Sequence, residues 1–131
     1  MYTTWEFRKK LREKGISEGL VEEALAFLGN NGYLDDRTYV SAYIEEKRRI
    51  APRGYFAFYQ ELKRRGIPAA LLEELRSMYP LEVEVEDAKR LLSLWKVVGS
   101  ERGRIWRRLL GRGFSCEAIE RAILDLPGSG D

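Results

Sequence analysis

Apolar residues recur every three or four positions along most of this chain, and charged residues fill many of the positions between them. One example is the stretch from residue 17 to residue 31, with apolar residues at Leu20, Val21, Ala24, Leu25 and Leu28. This spacing places the apolar side chains on one face of a helix, which we expect to be buried. Along the whole chain the pattern predicts an all-α fold of eight helices, grouped as three, three and two.

Residues 81–86 read Leu-Glu-Val-Glu-Val-Glu, an alternation that is typical of a strand. The chain has no second run of this kind with which a strand could pair. Apolar residues then continue with helical spacing from Ala88 to Val98, and the four acidic residues between positions 82 and 87 suit the positive end of a helix. We therefore predict a helix in this segment, ending at Gly99.

A short motif occurs three times. In each copy a Leu precedes a Gly by four residues, a basic residue stands directly before the Gly, and an apolar residue follows it. This order predicts a helix that ends in a left-handed glycine, with basic groups at the negative end of the helix dipole. A second helix should begin two residues after each Gly. The three segments are Leu11–Ile16, Leu62–Ile67 and Leu109–Phe114.

The glycines of this motif are 51 and 47 residues apart, a period that is typical of helical repeats. The predicted units are residues 1–52, 53–100 and 101–126, followed by a flexible tail at 127–131. The last unit lacks a third helix. Because a helical hairpin cannot bury both of its faces alone, we expect the units to stack as tandem three-helix repeats in an elongated array. Such an array presents a long surface, which favours a binding protein over an enzyme.

The amino-acid composition excludes several kinds of catalytic and metal-binding site. The 131 residues include no His, which removes the most frequent general base and metal ligand, and the single Cys116 has no partner for a disulfide. Adjacent Asp35 and Asp36 are interpreted as helix caps and not as a catalytic pair. No apolar stretch is long enough to span a membrane, and no secretory signal is visible. We expect a cytoplasmic protein without a cofactor or a metal.

The net charge is only +2, from 23 basic and 21 acidic residues, so overall attraction to nucleic acid should be weak. The distribution of charge is uneven. Basic residues crowd the first helix of each unit, and acidic residues crowd the second helix. Since the first helix ends where the second begins, compensation of the helix dipoles explains this pattern in the first two units.

The third unit is different, because five Arg and no acidic residue lie between positions 102 and 112. Dipole compensation acts only in the last turn of a helix, so it does not explain Arg102 or Arg104. Arg104, Arg108 and Arg112 share one stripe, which predicts a face that binds either protein carboxylates or phosphates. Phe56, which lies off the apolar face of its helix, joins the candidates. The predicted partner-binding residues are Arg102, Arg104, Arg107, Arg108, Arg112, Lys9, Lys10, Lys63, Arg64 and Phe56.

Residues 32–39 read Gly-Tyr-Leu-Asp-Asp-Arg-Thr-Tyr, which resembles the Gly-Tyr-(apolar)-Asp-Asp-x-x-(aromatic) signature of the RecX family. Further matches follow in family order at Arg53-Gly54, at Glu61-Leu62, at Arg65-Gly66-Ile67 and at residues 112–115. The resemblance covers most of the chain. The short N-terminus, the two-helix last unit and Gly111 depart from the family pattern.

The resemblance implies an all-helical regulator that lies in the groove of a RecA filament and contacts more than one protomer, and the stacked array is itself expected to be a monomer. It would limit filament growth, ATP hydrolysis and strand exchange, and so modulate recombination, DNA repair and the SOS response. DNA inside the filament is a possible second partner. Two alternatives stay open: a helix-turn-helix DNA-binding protein, against which the acidic second helices argue, and a helical scaffold that docks other proteins.

Overall fold

The computed structural model describes residues 2–31, 34–97 and 101–126, and all regular structure in these ranges is helical. The all-α prediction is therefore confirmed, and residues 81–86 are helical as predicted. The described helices are α1 (Thr4–Glu13), α2 (Glu18–Asn30), α3 (Asp36–Ile50), α4 (Tyr55–Arg64), α5 (Ala69–Leu72), α6 (Leu75–Met78), α7 (Leu81–Trp95), α8 (Arg102–Gly111) and α9 (Cys116–Leu124).

The three repeated motifs form three equivalent corners. Gly15, Gly66 and Gly113 have φ angles of 79°, 86° and 87°, in the left-handed region. At the second corner, the Ile67 N–H donates to the Leu62 carbonyl at 3.1 Å and the Gly66 N–H donates to the Lys63 carbonyl at 3.1 Å. The other two corners have the same pair of bonds. This pattern is the Schellman motif, so the corner prediction is confirmed.

Side-chain caps begin α1 and α3. Thr3 and Glu6 form a reciprocal capping box at the start of α1. The Asp35 carboxylate accepts bonds from the N–H groups of Arg37 and Thr38 at the start of α3, at 3.0 and 3.2 Å. The Thr38 hydroxyl also donates to Asp35, and these bonds together hold the pKa of the Asp35 carboxyl below its usual value.

Two helices differ from the prediction. The second helix of the middle unit is divided into α5 and α6, so the described residues form nine helices where eight were expected. At the break the hydrogen bonds are of the 3₁₀ type: the Glu74 N–H donates to the Leu71 carbonyl, and the Ser77 N–H donates to the Glu74 carbonyl. The Ser77 hydroxyl also donates to the Glu74 carbonyl, at 2.6 Å. Helix α7 ends at Trp95 with Lys96 at φ 55°, before the predicted stop at Gly99, which lies outside the described residues.

The hydrophobic core consists of two clusters. The first joins α3 to α4, α5 and α6, and contains Tyr43, Phe58 and Tyr79. The second joins α7 to α8 and α9, and contains Leu92 and Phe114. Each third helix therefore packs against the hairpin of the unit that follows it. The units at 1–52, 53–100 and 101–126 remain a prediction from the sequence, and the tail at 127–131 lies outside the described residues.

The α1–α2 hairpin contributes less to the core, because α1 has no buried residue and α2 has only Val21 and Leu25. Ion pairs join its two helices. The Arg12 guanidinium donates twice to the Glu18 carboxylate, at 2.7 and 3.0 Å, and Arg8 pairs with Glu22. The opposite charges of these helices thus attract each other directly, in addition to their interaction with the helix dipoles.

Among the described residues, no helix combines the length and the apolar character that crossing a membrane requires.

Candidate functional site

The position of the predicted interaction surface depends on how the helical hairpins pack on one another. The second corner makes one such contact, with the start of α1. The Thr3 hydroxyl, at the start of α1, donates to the Arg65 carbonyl at 2.7 Å. A Cβ atom at Gly66 would lie 2.6 Å from Cδ2 of Trp5, so the glycine permits this close approach. The second corner therefore docks on the beginning of α1.

The third corner repeats the arrangement on α4. The N–H groups of Gly54 and Phe56 donate to the carbonyls of Arg112 and Gly113, at 3.0 and 2.9 Å. A Cβ atom at Gly54 would overlap the backbone of Phe114, although Gly54 itself has an ordinary φ of −87°. The glycine of the Arg53-Gly54 match is thus required by close packing between units.

The two adjacent aspartates cap two different helices. Asp35 caps α3, and the Asp36 carboxylate accepts a bond from the Thr4 N–H at the beginning of α1, at 2.9 Å. No group of three or more His, Cys, Asp and Glu side chains in the described part of the chain could hold a metal ion. The signature motif therefore has a structural use, which is to fix α1 against α3.

A buried carboxylate on α7 joins three helices. Glu84 is fully buried, and its Oε2 accepts bonds from the N–H groups of Tyr55 and Ser115, at 2.9 and 2.8 Å. Its Oε1 accepts from the Ser115 hydroxyl and from the Arg76 guanidinium, both at 2.8 Å. The starts of α4 and α9 are thereby held on α7.

Asp87 is the second buried carboxylate of α7. It accepts two bonds from Arg48, at 2.8 and 3.1 Å, and one from the Tyr79 hydroxyl at 2.9 Å. Burial, and then the nearby Asp87 charge, raises the pKa of the Tyr79 phenol. From the sequence, Glu84 and Asp87 are predicted only to compensate the helix dipole, and that prediction misses their role as buried anchors. Their spacing to Ala88 and Leu91, on the apolar face, was the available signal.

The arginines of α8 are in different environments. The Arg108 guanidinium lies over the Trp95 ring, 3.6 Å from its centroid, and Arg107 is exposed. The side chain of Arg104 is 79% exposed and lies 3.8 Å from the Glu101 carboxylate. Trp95 itself is partly buried against the second core cluster. These three arginines remain available at the surface.

Arg112 turns inwards instead. Its Nε and Nη2 atoms donate to the Pro52 carbonyl, in the segment that precedes α4, at 3.2 and 2.6 Å. Burial, and then the nearby cations Arg53 and Arg108, lowers the pKa of Arg112. The residue therefore helps to hold the third corner. Arg102 lines a groove between α8 and α9, together with Trp106.

The remaining candidates lie on the exposed sides of α1 and α4. Lys9 lies over the Trp5 ring, and Lys10 donates to the Tyr2 hydroxyl at 2.8 Å. Lys63 is exposed, and Arg64 forms an ion pair with Glu61. Phe56 is 52% exposed and contacts the ring of Tyr55. The side-chain contacts given for Lys9, Lys10, Arg64 and Phe56 are local, although the Phe56 N–H also donates to the Gly113 carbonyl of the third corner.

Comparison with known proteins supports the resemblance to the RecX family. The family model described as "RecX, second three-helix domain" matches residues 35–75, which contain most of the first core cluster. The regulatory protein RecX of Caldanaerobacter subterraneus subsp. tengcongensis is 32% identical over 124 residues, covering 94% of this chain and 62% of the relative. That of Geobacillus sp. (strain WCH70) is 29% identical over 120 residues, covering 87% and 44%.

The chain therefore spans about half the length of several relatives that it matches. The crystal structure of RecX from Lactobacillus salivarius superposes with a TM-score of 0.85 at 23% identity, covering 96% of this chain and 86% of that one. This likeness shows that the two proteins share a fold. The family model, the curated relatives and the shared fold agree, and together they show that this chain is similar to proteins of the RecX family.

Proposed function

We propose that this protein is a regulator that binds the RecA–DNA filament and limits its growth, ATP hydrolysis and strand exchange. The curated relatives are named regulatory proteins, and the similarity of this chain to them is the observation that carries the proposal. The carboxylates of Glu84, Asp87 and Asp36 hold helices together, and that of Asp35 caps α3. We therefore propose that the protein acts by binding and not by catalysis.

The surface that supports this proposal consists of Arg104, Arg107, Arg108 and Trp95, which we call the basic edge. Stacking on Trp95 restricts the Arg108 side chain before any partner binds, so less conformational entropy is lost on association. Arg104 lies one turn earlier on the same side of α8. Because guanidinium groups bind carboxylates and phosphates in a bidentate manner, this edge suits an acidic partner surface.

The overall charge argues for the filament over free DNA. A net charge of +2 provides little general attraction to phosphates, so a few oriented arginines must supply the contact. A helix-turn-helix mode would place α2 or α9 near phosphates, but their exposed faces carry Glu18, Glu22, Glu117 and Glu120. Like charges would repel there. The basic edge is thus proposed to face recombinase carboxylates, with DNA in the filament as a second possible contact.

The direct test is a titration of this protein into DNA-stimulated ATP hydrolysis by the cognate RecA. Inhibition is expected at well below one molecule per recombinase protomer, because blocking a filament at one position affects many protomers.

The double substitution R104E/R108E should weaken inhibition at least about tenfold, since it places acidic groups against an acidic surface. Its thermal stability should stay close to that of the wild type, because exposed charges contribute little to folding.

A matched control is R37E/R121E, which makes the same change in charge at two exposed arginines on α3 and α9. This control should inhibit like the wild type, and inhibition by both proteins should decrease with salt. If R104E/R108E folds normally and still inhibits fully, the basic edge is not the contact surface. If the wild type binds free double-stranded DNA more tightly than the RecA–DNA complex, the DNA-binding alternative replaces this proposal.

A further inference from the structure

A small pocket, which we call the tyrosine pocket, lies between the middle of α3 and the second corner. Its volume is about 220 Å³, and its wall consists of two tyrosines, two cations, one carboxylate and one alanine: Tyr39, Tyr43, Lys47, Arg65, Glu46 and Ala42. The two tyrosines are buried, and their rings stack with centroids 6.2 Å apart. The wall shares no residue with the basic edge.

Three hydrogen-bond donors of the tyrosine pocket have no acceptor among the described residues. The Arg65 guanidinium donates to the Tyr39 hydroxyl at 2.6 Å and to Glu61 at 3.0 Å, through Nη1 and Nε, so its Nη2 is left over. The Tyr39 hydroxyl accepts in that bond, and its own hydrogen remains to be donated. Lys47 is partly buried, lies 5.5 Å from the centroid of the Tyr43 ring and has no ion pair in the described part of the chain.

Two further donors close to this pocket are buried. The Tyr43 hydroxyl and the Arg53 Nε form no hydrogen bond with any described residue. Burial raises the pKa of the Tyr43 phenol, and the nearby Arg53 charge opposes that rise, so the guanidinium is close to the ring. Because a buried donor without an acceptor destabilises a protein, a ligand that supplies several acceptor oxygens is favoured here.

The surroundings of the tyrosine pocket also have an excess of positive charge. Glu61 pairs with both Arg64 and Arg65, so these three residues together carry one positive charge. Lys47 and Arg53 form no ion pair with a described residue and add two more, and the carboxylate of the pocket wall offsets one. Four cations and two carboxylates therefore leave two positive charges unbalanced.

We propose that the tyrosine pocket binds a phosphate dianion, either inorganic phosphate or the terminal phosphate of a nucleotide. Lys47 and Arg65 supply charge-assisted hydrogen bonds, and the Tyr39 hydroxyl donates a third. A phosphate group carries a charge of about −1.5 to −2 at pH 7, which matches the excess of positive charge better than a single carboxylate does. The proposal goes beyond the regulatory function above, because its ligand is a small anion and no recombinase takes part.

Isothermal titration calorimetry of the whole chain with inorganic phosphate tests the proposal. The wild type should bind one phosphate per chain with a dissociation constant below about 1 mM. Lys47→Gln should weaken this binding at least about tenfold, because it removes one of the unbalanced charges. Lys63→Gln, which removes an exposed lysine of α4, is the matched control and should bind like the wild type. A parallel titration with ADP identifies the source, since a nucleotide site binds ADP more tightly than free phosphate.

A second substitution should increase the affinity. Glu46→Gln removes the carboxylate of the pocket wall, so phosphate should bind about three- to tenfold more tightly. Glu46 is exposed, so the change should leave folding intact, and circular dichroism checks this. Glu45→Gln is the matched control, because Glu45 is the neighbouring exposed carboxylate and does not line this pocket. It should change the affinity by less than about twofold at physiological salt.

Four results would overturn the proposal. Wild-type protein that binds neither phosphate nor ADP up to about 20 mM has no such site. Normal binding by Lys47→Gln, with loss of binding in R104E/R108E, would place the anion at the basic edge. Equal gains from Glu46→Gln and Glu45→Gln would indicate general attraction by net charge. Acetate that binds as tightly as phosphate would mean that the pocket selects carboxylates. Since no recombinase is present, the proposed filament regulation is decided separately by its own titration.

Discussion

The variant Glu84→Ala is expected to lose about 3 to 5 kcal/mol of its free energy of unfolding, a large share of the stability of a small domain. The substitution leaves the partly buried N–H groups of Tyr55 and Ser115 without their acceptor. It also leaves the Arg76 guanidinium without its carboxylate. The N–H groups of Tyr55 and Ser115 stand at the starts of α4 and α9. Without Glu84, these two helices therefore lose their shared attachment to α7.

Equilibrium unfolding in urea, followed by circular dichroism, measures this loss. Glu82→Ala is the matched control, because Glu82 is an exposed carboxylate on the first turn of the same helix. It should change stability by less than about 0.5 kcal/mol. Glu84→Gln should fall between the two, since its amide oxygen replaces one oxygen of the carboxylate while its NH₂ group faces other donors. A Glu84→Ala variant as stable as Glu82→Ala would show that the buried network adds nothing to folding.

The corners and caps were predictable because their determinants are local. A Leu, a basic residue, a glycine and an apolar residue within six positions determine both bonds of the Schellman motif. Asp35 likewise caps a helix that begins at the next residue. Such short-range signals do not depend on the rest of the fold, so one sequence was enough to identify them.

The buried carboxylates could not be placed in this way, because their partners are distant in the sequence. Asp87 binds Arg48, which is 39 residues away, and Glu84 binds the Ser115 N–H, which is 31 residues away. Arg112 shows the same limit. Its helical spacing places it on one stripe with Arg104 and Arg108. However, the Arg112 side chain turns inwards and donates to the Pro52 carbonyl. Helical spacing indicates which side chains share a face, whereas the neighbouring chain segment decides which of them it covers.

The same substitution, Gly to Ala, is expected to have graded effects at the three corners. Gly15, Gly66 and Gly113 have nearly equal φ angles, so the backbone strain of a non-glycine residue, about 1 to 2 kcal/mol, should be common to all three. Their surroundings differ. At Gly15, an added Cβ would meet none of the described atoms within 4 Å. At Gly66 it would meet the Trp5 side chain. At Gly113 it would meet the backbone of Ala57, with the Ala57 Cα at 2.9 Å.

Gly113→Ala should therefore be the most destabilising, because its methyl group must displace the backbone of α4 and not only a side chain. We expect a loss of about 2 to 5 kcal/mol, the sum of backbone strain and overpacking. Gly66→Ala should be intermediate, since its methyl group would meet the Cβ and ring atoms of Trp5, and the three nearest atoms include no backbone atom of α1. Gly15→Ala is the matched control and should show the strain alone. Urea unfolding of the three variants checks the order. Equal losses at all three corners would mean that the glycines are needed only for their φ angles, and that the corners do not dock closely on the preceding helices.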